Sequence, residues 1–252
     1  MNEEIGYRHW IAPRARAVFL LVHGIGTYSG RWEAMADFFI KNRISSYAIE
    51  CPKPEDYYDG ILRLHGVISK NNPGKKIFLI GESLGGLVSF LLVSRWPGLF
   101  DGLVCFSPAF RSRLKLTGLD YLKILASLLY NPKREFRLPF DSSMCTRDND
   151  YIKKMDSDER EHRLASSRSI LEILFSQTAS WISVKKLATP VFFLVAGDDK
   201  MVDSRASMEI FKRLKVKDKT LVEYPGMYHS LSIELGKEKV FEDLLKWVEK
   251  RI

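Results

Sequence analysis

Apolar positions along this chain alternate between two patterns. Residues 18–22, 77–80, 102–106 and 191–196 are short apolar runs without polar alternation, and they read as buried strands. Residues 45–49 and 220–224 add two more strands. Between these runs apolar residues recur at helical spacing. Examples are Trp32, Met35, Phe38 and Phe39 within 32–40, and Ile61, Leu62, Leu64 and Val67 within 56–69. Val240, Phe241, Leu244, Leu245 and Val248 make one stripe within 237–250, and helices also fit 84–94 and 204–214. Asn71-Asn72-Pro73-Gly74 and Pro97-Gly98 supply stops. Strands without polar alternation, separated by helices, predict an α/β fold: a mostly parallel central sheet flanked by helices.

The rhythm breaks between residues 108 and 188. No convincing apolar strand is visible there, and helical patterns cover 116–130 and 168–178. The expected organisation is therefore an α/β core from residues 1–108 and 188–252, with a helical cap, 109–187, inserted between two sheet strands. No repeat or flexible linker separates the two.

The strand at 77–80 runs into Gly81-Glu82-Ser83-Leu84-Gly85-Gly86, with a helix to follow. This is a G-x-S-x-G turn in strand–turn–helix context, the setting of a nucleophile elbow. Ser83 must sit on a sharp, strained turn, and glycines two before and two after it remove side chains that would collide. Gly86 adds room for the helix to pack.

A serine hydroxyl needs a base. Of His9, His23, His65, His162 and His229, only His229 follows the strand at 220–224 in a loop at a strand end, where α/β enzymes carry catalytic groups. His65 falls inside a helix, and His162 lies on a charged face within Asp158-Glu159-Arg160-Glu161-His162-Arg163. The strand at 191–196 ends in Gly197-Asp198-Asp199-Lys200-Met201-Val202-Asp203. Asp203 is explained as a helix cap, which leaves Asp198 or Asp199 to orient the imidazole. The order Ser–Asp–His is that of α/β-hydrolases. After the first strong strand, His23-Gly24-Ile25-Gly26 lets the backbone turn so that the Ile25 N–H, with that of Leu84, can hold a tetrahedral oxyanion. Gly24 and Gly26 permit the turn, and His23 is read as a structural residue bracing the loop.

Composition narrows the picture further. The 252 residues are 46% apolar and 28% charged, as in an ordinary globular protein. The charge of +8 comes from 39 basic and 31 acidic residues that are mixed along the chain. That dispersal, with no binding motif, argues against a nucleic-acid role. Cys51, Cys105 and Cys145 form no CxxC or disulfide pattern, Cys105 reads as a buried thiol, and no metal is expected. Met1-Asn2-Glu3-Glu4 shows no secretory leader, so a cytoplasmic protein is expected, peripheral to a membrane at most. The helix at 116–130 carries Leu116, Leu119, Leu122, Ile124, Leu125, Leu128 and Leu129, more than one buried stripe needs. Residues 111–137 hold seven basic side chains against Asp120 and Glu135. Such a helix could make transient contact with an anionic membrane surface, or simply pack as cap core.

These residues resemble the monoacylglycerol lipase and lysophospholipase group of the α/β-hydrolases. His23-Gly24-Ile25-Gly26-Thr27-Tyr28-Ser29-Gly30-Arg31-Trp32 is similar to that group's HGxGxxSGRY/W segment, and Gly81 through Gly86 to its GxSxGG elbow. The resemblance implies that the aspartate before the basic residue is catalytic, which selects Asp199, 30 residues before His229. It also implies an α/β-hydrolase fold with a cap over an acyl pocket, no cofactor, and monoacylglycerols or related single-chain esters as substrates. The expected chemistry is ester cleavage through a Ser83–His229–Asp199 triad and an acyl-enzyme. The alternatives are a general carboxylesterase, thioesterase or amidase acting on small soluble substrates, or an idle hydrolase-like binding protein. Two features depart from the group. Its D-x-x-G-x-G-x-S loop after the second strand is replaced by Glu50-Cys51-Pro52-Lys53-Pro54, which alters a pocket wall. The cap stretch Asp156-Ser157-Asp158-Glu159-Arg160-Glu161 is also more charged than a lipid-facing surface.

Overall fold

The computed structural model describes residues 6–51 and 53–252; the reading of Met1-Asn2-Glu3-Glu4 lies outside them. In chain order the main elements are β1 (Tyr7–Trp10), β2 (Ala17–Val22), α1 (Glu33–Lys41), β3 (Ile44–Ile49), α2 (Tyr57–Asn71), β4 (Lys76–Glu82), α3 (Leu84–Arg95) and β5 (Gly102–Phe106). Then come α4 (Gly118–Tyr130), β6 (Glu135–Arg137), α5 (Asn149–Ser157), β7 (Leu164–Ser166) and α6 (Ser167–Ser183). The chain closes with β8 (Val191–Ala196), α7 (Ser204–Arg213), β9 (Lys219–Tyr224) and α8 (Lys237–Glu249).

Seven strands form one sheet in the order β1-β3-β2-β4-β5-β8-β9, parallel throughout except for β1, which pairs antiparallel with β3. Strand periodicity divides β2 between two cores. Val18, Leu20 and Val22 pack with Ile61, Leu64 and Leu87 from α2 and α3, whereas Ala17, Phe19 and Leu21 pack with Phe39, Val240 and Leu244 from α1 and α8. Both faces of β2 are thus dry, which is why it reads as an unbroken apolar run.

Strands and helices of the sheet region fall within a residue or two of their expected bounds. The first strand is an addition. β1 is a half-exposed edge strand containing Arg8 and His9, so no apolar run marks it. Between β5 and β8 lie the two expected helices and also α5 and a short antiparallel pair, β6 with β7. The absence of strands expected in this segment is corrected by that pair, whose three-residue strands are too short and polar to carry a periodic signal. None of the described helices is long and apolar enough to cross a membrane.

Candidate active site

The turn at Ser83 is built by close approach of backbone. Ser83 has φ 57° and ψ −118°, in the left-handed half of conformational space that costs a non-glycine residue roughly 1–3 kcal/mol. The conformation is held from both sides: Ser83 N–H donates to Phe106 O at 2.9 Å, and Ser83 O accepts from Leu87 and Ala109 N–H at 3.1 and 3.0 Å. A Cβ on Gly81 would lie 2.3 Å from Gly85 O, and one on Gly85 would lie 2.3 Å from Val22 O. Glycine is therefore required at both positions, and Gly86 similarly faces Gly81 O at 3.0 Å.

His229 and Asp199 meet across the ends of β8 and β9. His229 Nδ1 lies 2.7 Å from Asp199 Oδ2, and both side chains are buried. The other carboxylate oxygen, Oδ1, accepts N–H bonds from Met201 and Val202, each at 2.8 Å, so the acid is anchored by its own turn. Burial disfavours the charged imidazole, but the Asp199 charge and hydrogen bond outweigh it and raise the His229 pKa above the ordinary histidine value. Nε2 of His229 is buried without a hydrogen-bond partner among the described residues, and His229 lines the same cavity as Ser83. Asp203 caps α7 by accepting the Arg205 N–H at 3.1 Å.

The loop after β2 lies against this pair. A Cβ on Gly24 would come within 3.3 Å of Ser83 Cβ, and Ile25 lines the cavities beside Ser83. Leu84 is the first residue of α3, where N–H groups have no intrahelical acceptor. His23 braces the loop: Nδ1 lies 2.8 Å from Gly24 O, Nε2 accepts the Cys51 N–H at 3.2 Å, and burial lowers its pKa. His9 lies tilted between the rings of Tyr7 and Tyr47, and His65 meets Phe100 edge-on.

Two dissimilar cavities meet at Ser83. One, of about 30 Å³, is bordered by Thr27, Arg31, Glu82, Glu161, Arg163 and His229, and also by Phe140, Met155 and Met201. Its charged groups are paired internally: Arg31 with Glu161, Arg163 with Asp156, and Glu82 with Ser232. Thr27 Oγ1 is buried there without a hydrogen-bond partner among the described residues. The other cavity, of about 120 Å³, is walled by apolar side chains including Leu84, Leu114, Leu138, Ile170 and Ile173.

Sequence reasoning missed two buried acids. Glu82, beside Ser83, accepts the Ser232 N–H at 3.1 Å and its hydroxyl at 2.9 Å, tying the end of β4 to the loop of His229. Burial raises the Glu82 pKa. Glu234 accepts N–H bonds from Tyr228 at 3.0 Å and Arg147 at 3.2 Å and braces the same loop. An acid at the end of an apolar strand was the available signal for Glu82; nothing local marks Glu234.

Residues 13–236 match the family model Hydrolase_4, described as serine aminopeptidase, S33. Among curated proteins, human monoglyceride lipase is 27% identical over 94% of this chain and 83% of its own length. The Bacillus subtilis phospholipase YtpA is 26% identical over 92% of this chain and 95% of its own. Among solved structures, the monoacylglycerol lipase of Paleococcus ferrophilus superposes with a TM-score of 0.90 at 23% identity, covering 99% of this chain and all of that one. A soluble variant of monoglyceride lipase from Saccharomyces cerevisiae, in complex with a substrate analog, gives 0.84 at 20% identity over 98% of this chain and 92% of its own. The fold is that of these lipases, and the chain belongs to the Hydrolase_4 family of α/β-hydrolases.

Proposed function

We propose that this carboxylic ester hydrolase cleaves single-chain esters of neutral polyols, with monoacylglycerols ahead of lysophospholipids. The observation that carries the reading is the meeting at Ser83 of a larger apolar cavity and a smaller one that charged side chains border. An acyl chain fits the first and an alcohol the second. The arginines of the smaller cavity already have carboxylate partners, so a phosphate head group would find no unclaimed cation there, whereas a glycerol needs none. The monoglyceride lipases and the phospholipase among its relatives are consistent with a lipid ester substrate.

In this reading His229 Nε2 takes the Ser83 proton as Oγ attacks the ester carbonyl carbon. The carbonyl oxygen becomes an oxyanion held by the N–H groups of Ile25 and Leu84. Asp199 keeps Nδ1 protonated and stabilises the imidazolium. The C–O bond then breaks, the alcohol leaves with the proton from Nε2, and water activated by the same nitrogen releases the acid. Residues 109–187 act as a cap over the acyl cavity. The leucines that α4 exposes let the cap touch a membrane surface transiently, the protein otherwise residing in the cytoplasm.

The test compares a monoacylglycerol, a lysophosphatidylcholine, p-nitrophenyl esters of rising chain length, an acyl-thioester and a short peptide amide. Ser83→Ala should lose about 10⁴-fold or more of turnover, together with fluorophosphonate labelling. Retained turnover removes Ser83 from its role, and a preference for the lysophospholipid overturns the neutral-polyol assignment.

A further inference from the structure

The charged stretch that sits oddly in a lipid-facing cap is not on its lipid-facing side. Residues 158–163 lie directly on the loop that follows Ile25. The Gly26 carbonyl accepts the His162 N–H at 3.0 Å, and a Cβ on Gly26 would fall 1.9 Å from His162 O, so backbone meets backbone with nothing between. Arg31 gives Nε and one terminal nitrogen to the two carboxylate oxygens of Glu161 at 2.5 and 2.7 Å, with side chains only 4% and 8% exposed. The Tyr28 hydroxyl donates to Asp158 at 2.9 Å and accepts from Arg160 at 2.9 Å, while the Arg160 guanidinium lies 4.0 Å from the Tyr28 ring centre.

We propose that residues 158–163 are a latch that holds the oxyanion loop in its working position, with Arg31 and Glu161 as positioning residues. This rests on the reading of Ile25 as an oxyanion donor. A cap that only had to cover the acyl cavity would be held as well by apolar contacts, since a buried ion pair gains little over hydrophobic residues of the same shape. A bidentate guanidinium–carboxylate pair does fix relative position and angle. Here it fixes them between the cap and the stretch 26–31, which begins directly after Ile25. The loop's two glycines allow it to turn and leave it little rigidity of its own. The latch supplies that rigidity, and it makes this edge of the cap the stationary one.

The decisive substrate is p-nitrophenyl acetate, whose acyl group is too short to depend on the apolar cavity. For Glu161→Gln the expected result is a fall in kcat of about tenfold to a hundredfold, the cost of misplacing a reacting group. Fluorophosphonate labelling of Ser83 should slow in parallel. KM should stay within about twofold, as for an interaction felt mainly in the transition state. Tyr28→Phe and Asp158→Asn loosen the latch without stranding a buried charge. Each should lower kcat about two- to fivefold, the scale of the partly exposed hydrogen bonds it removes, with only a small fall in melting temperature. They decide the matter if Glu161→Gln does not fold. Wild-type kcat and labelling rates in the folded variants, or losses confined to long-chain esters, overturn the latch and leave these residues as a cavity roof. If the wild-type protein labels but cleaves no ester, the ester reading fails and the labelling rates alone test the latch. A wild-type Ser83 that does not label overturns both.

Discussion

The turn at Ser83 and the outer face of α4 solve opposite problems. At the turn the main chain is closed in by other backbone, glycines stand where a single carbon would collide, and a serine is held at positive φ by three hydrogen bonds. On α4 only Ile124 and Ser127 are buried, while Leu119, Leu122, Leu125 and Leu129 face outward, the last at 91% exposure. That helix does not need tertiary burial to begin. Thr117 Oγ1 accepts the Asp120 N–H at 3.2 Å and Asp120 accepts the Thr117 N–H at 2.9 Å, a complete capping box. The turn is thus specified by the protein's own interior, whereas these four leucines of α4 stay largely exposed. The first region should be intolerant of any change, and the second tolerant in solution and sensitive only where an apolar surface is supplied.

The largest effect is expected at the acid. Asp199→Asn should cut kcat by about 10⁴-fold, because the imidazole loses its orientation and charge partner. Its pH behaviour is the sharper readout. In the proposed mechanism His229 acts as base only when neutral, and the Asp199 carboxylate raises its pKa above the ordinary value, so wild-type kcat/KM should rise with pH through a midpoint above 6.5. Without the carboxylate, burial acts with less opposition and the midpoint should move down. A pH–rate profile that does not move in Asp199→Asn would separate His229 from the observed titration.

Glycines give the next largest contrast. In Gly85→Ala the new Cβ meets Val22 O at 2.3 Å and His23 O at 2.5 Å, both backbone atoms that cannot step aside. A loss of about 3 kcal/mol is expected, with a fall in melting temperature of about 6–12 °C. A Cβ added to Gly66, inside α2, would meet no described atom within 4 Å beyond its own stretch of helix, and Gly66→Ala should stabilise by about 0.5–1 kcal/mol. Thermal unfolding of the two variants checks both signs. A tolerated Gly85→Ala would mean that the turn is not determined by crowding.

How much of this is readable from the chain depends on how far the cause extends in sequence. The Ser83 turn is readable because a buried parallel strand is an unbroken apolar run, and the glycines that end it answer a collision between near neighbours in the chain. Asp199 follows because it stands just past such a run, β8, and His229 because it stands in a loop after the next strand, β9, which is only half-buried. Locally, however, Asp198 and Asp199 are equivalent, and only the resemblance singled out Asp199; in the fold it is Asp199 whose Oδ2 reaches His229. The bond from Glu82 to Ser232 joins residues 150 apart, and that from Arg31 to Glu161 joins residues 130 apart. A charged side chain gives no sign of so distant a partner, and in sequence Glu161 looks like any solvated acid. Edge strand β1 and the β6–β7 pair are hidden for another reason: they are short and half-exposed, so no period emerges.

The smallest expected effect tests the α4 side of the comparison. Leu125 is 54% exposed, so Leu125→Glu should leave the melting temperature and acetate-ester turnover unchanged, stability moving by no more than about 0.5 kcal/mol. On a lipid surface the same side chain would be buried. Removing a leucine worth about 1.5–3 kcal/mol should weaken partitioning onto anionic vesicles by roughly 10- to 100-fold. Lys133→Glu/Arg134→Glu should weaken it through charge, at about 1 kcal/mol for each basic residue lost, and the difference should shrink as salt rises. Co-sedimentation with anionic and neutral vesicles at low and moderate salt measures both effects. The apolar variant should lose binding to either vesicle, the charge variant mainly to the anionic one. If wild-type protein does not sediment with vesicles, or both variants bind as it does, the exposed leucines answer to some other apolar partner and the cap has no membrane face.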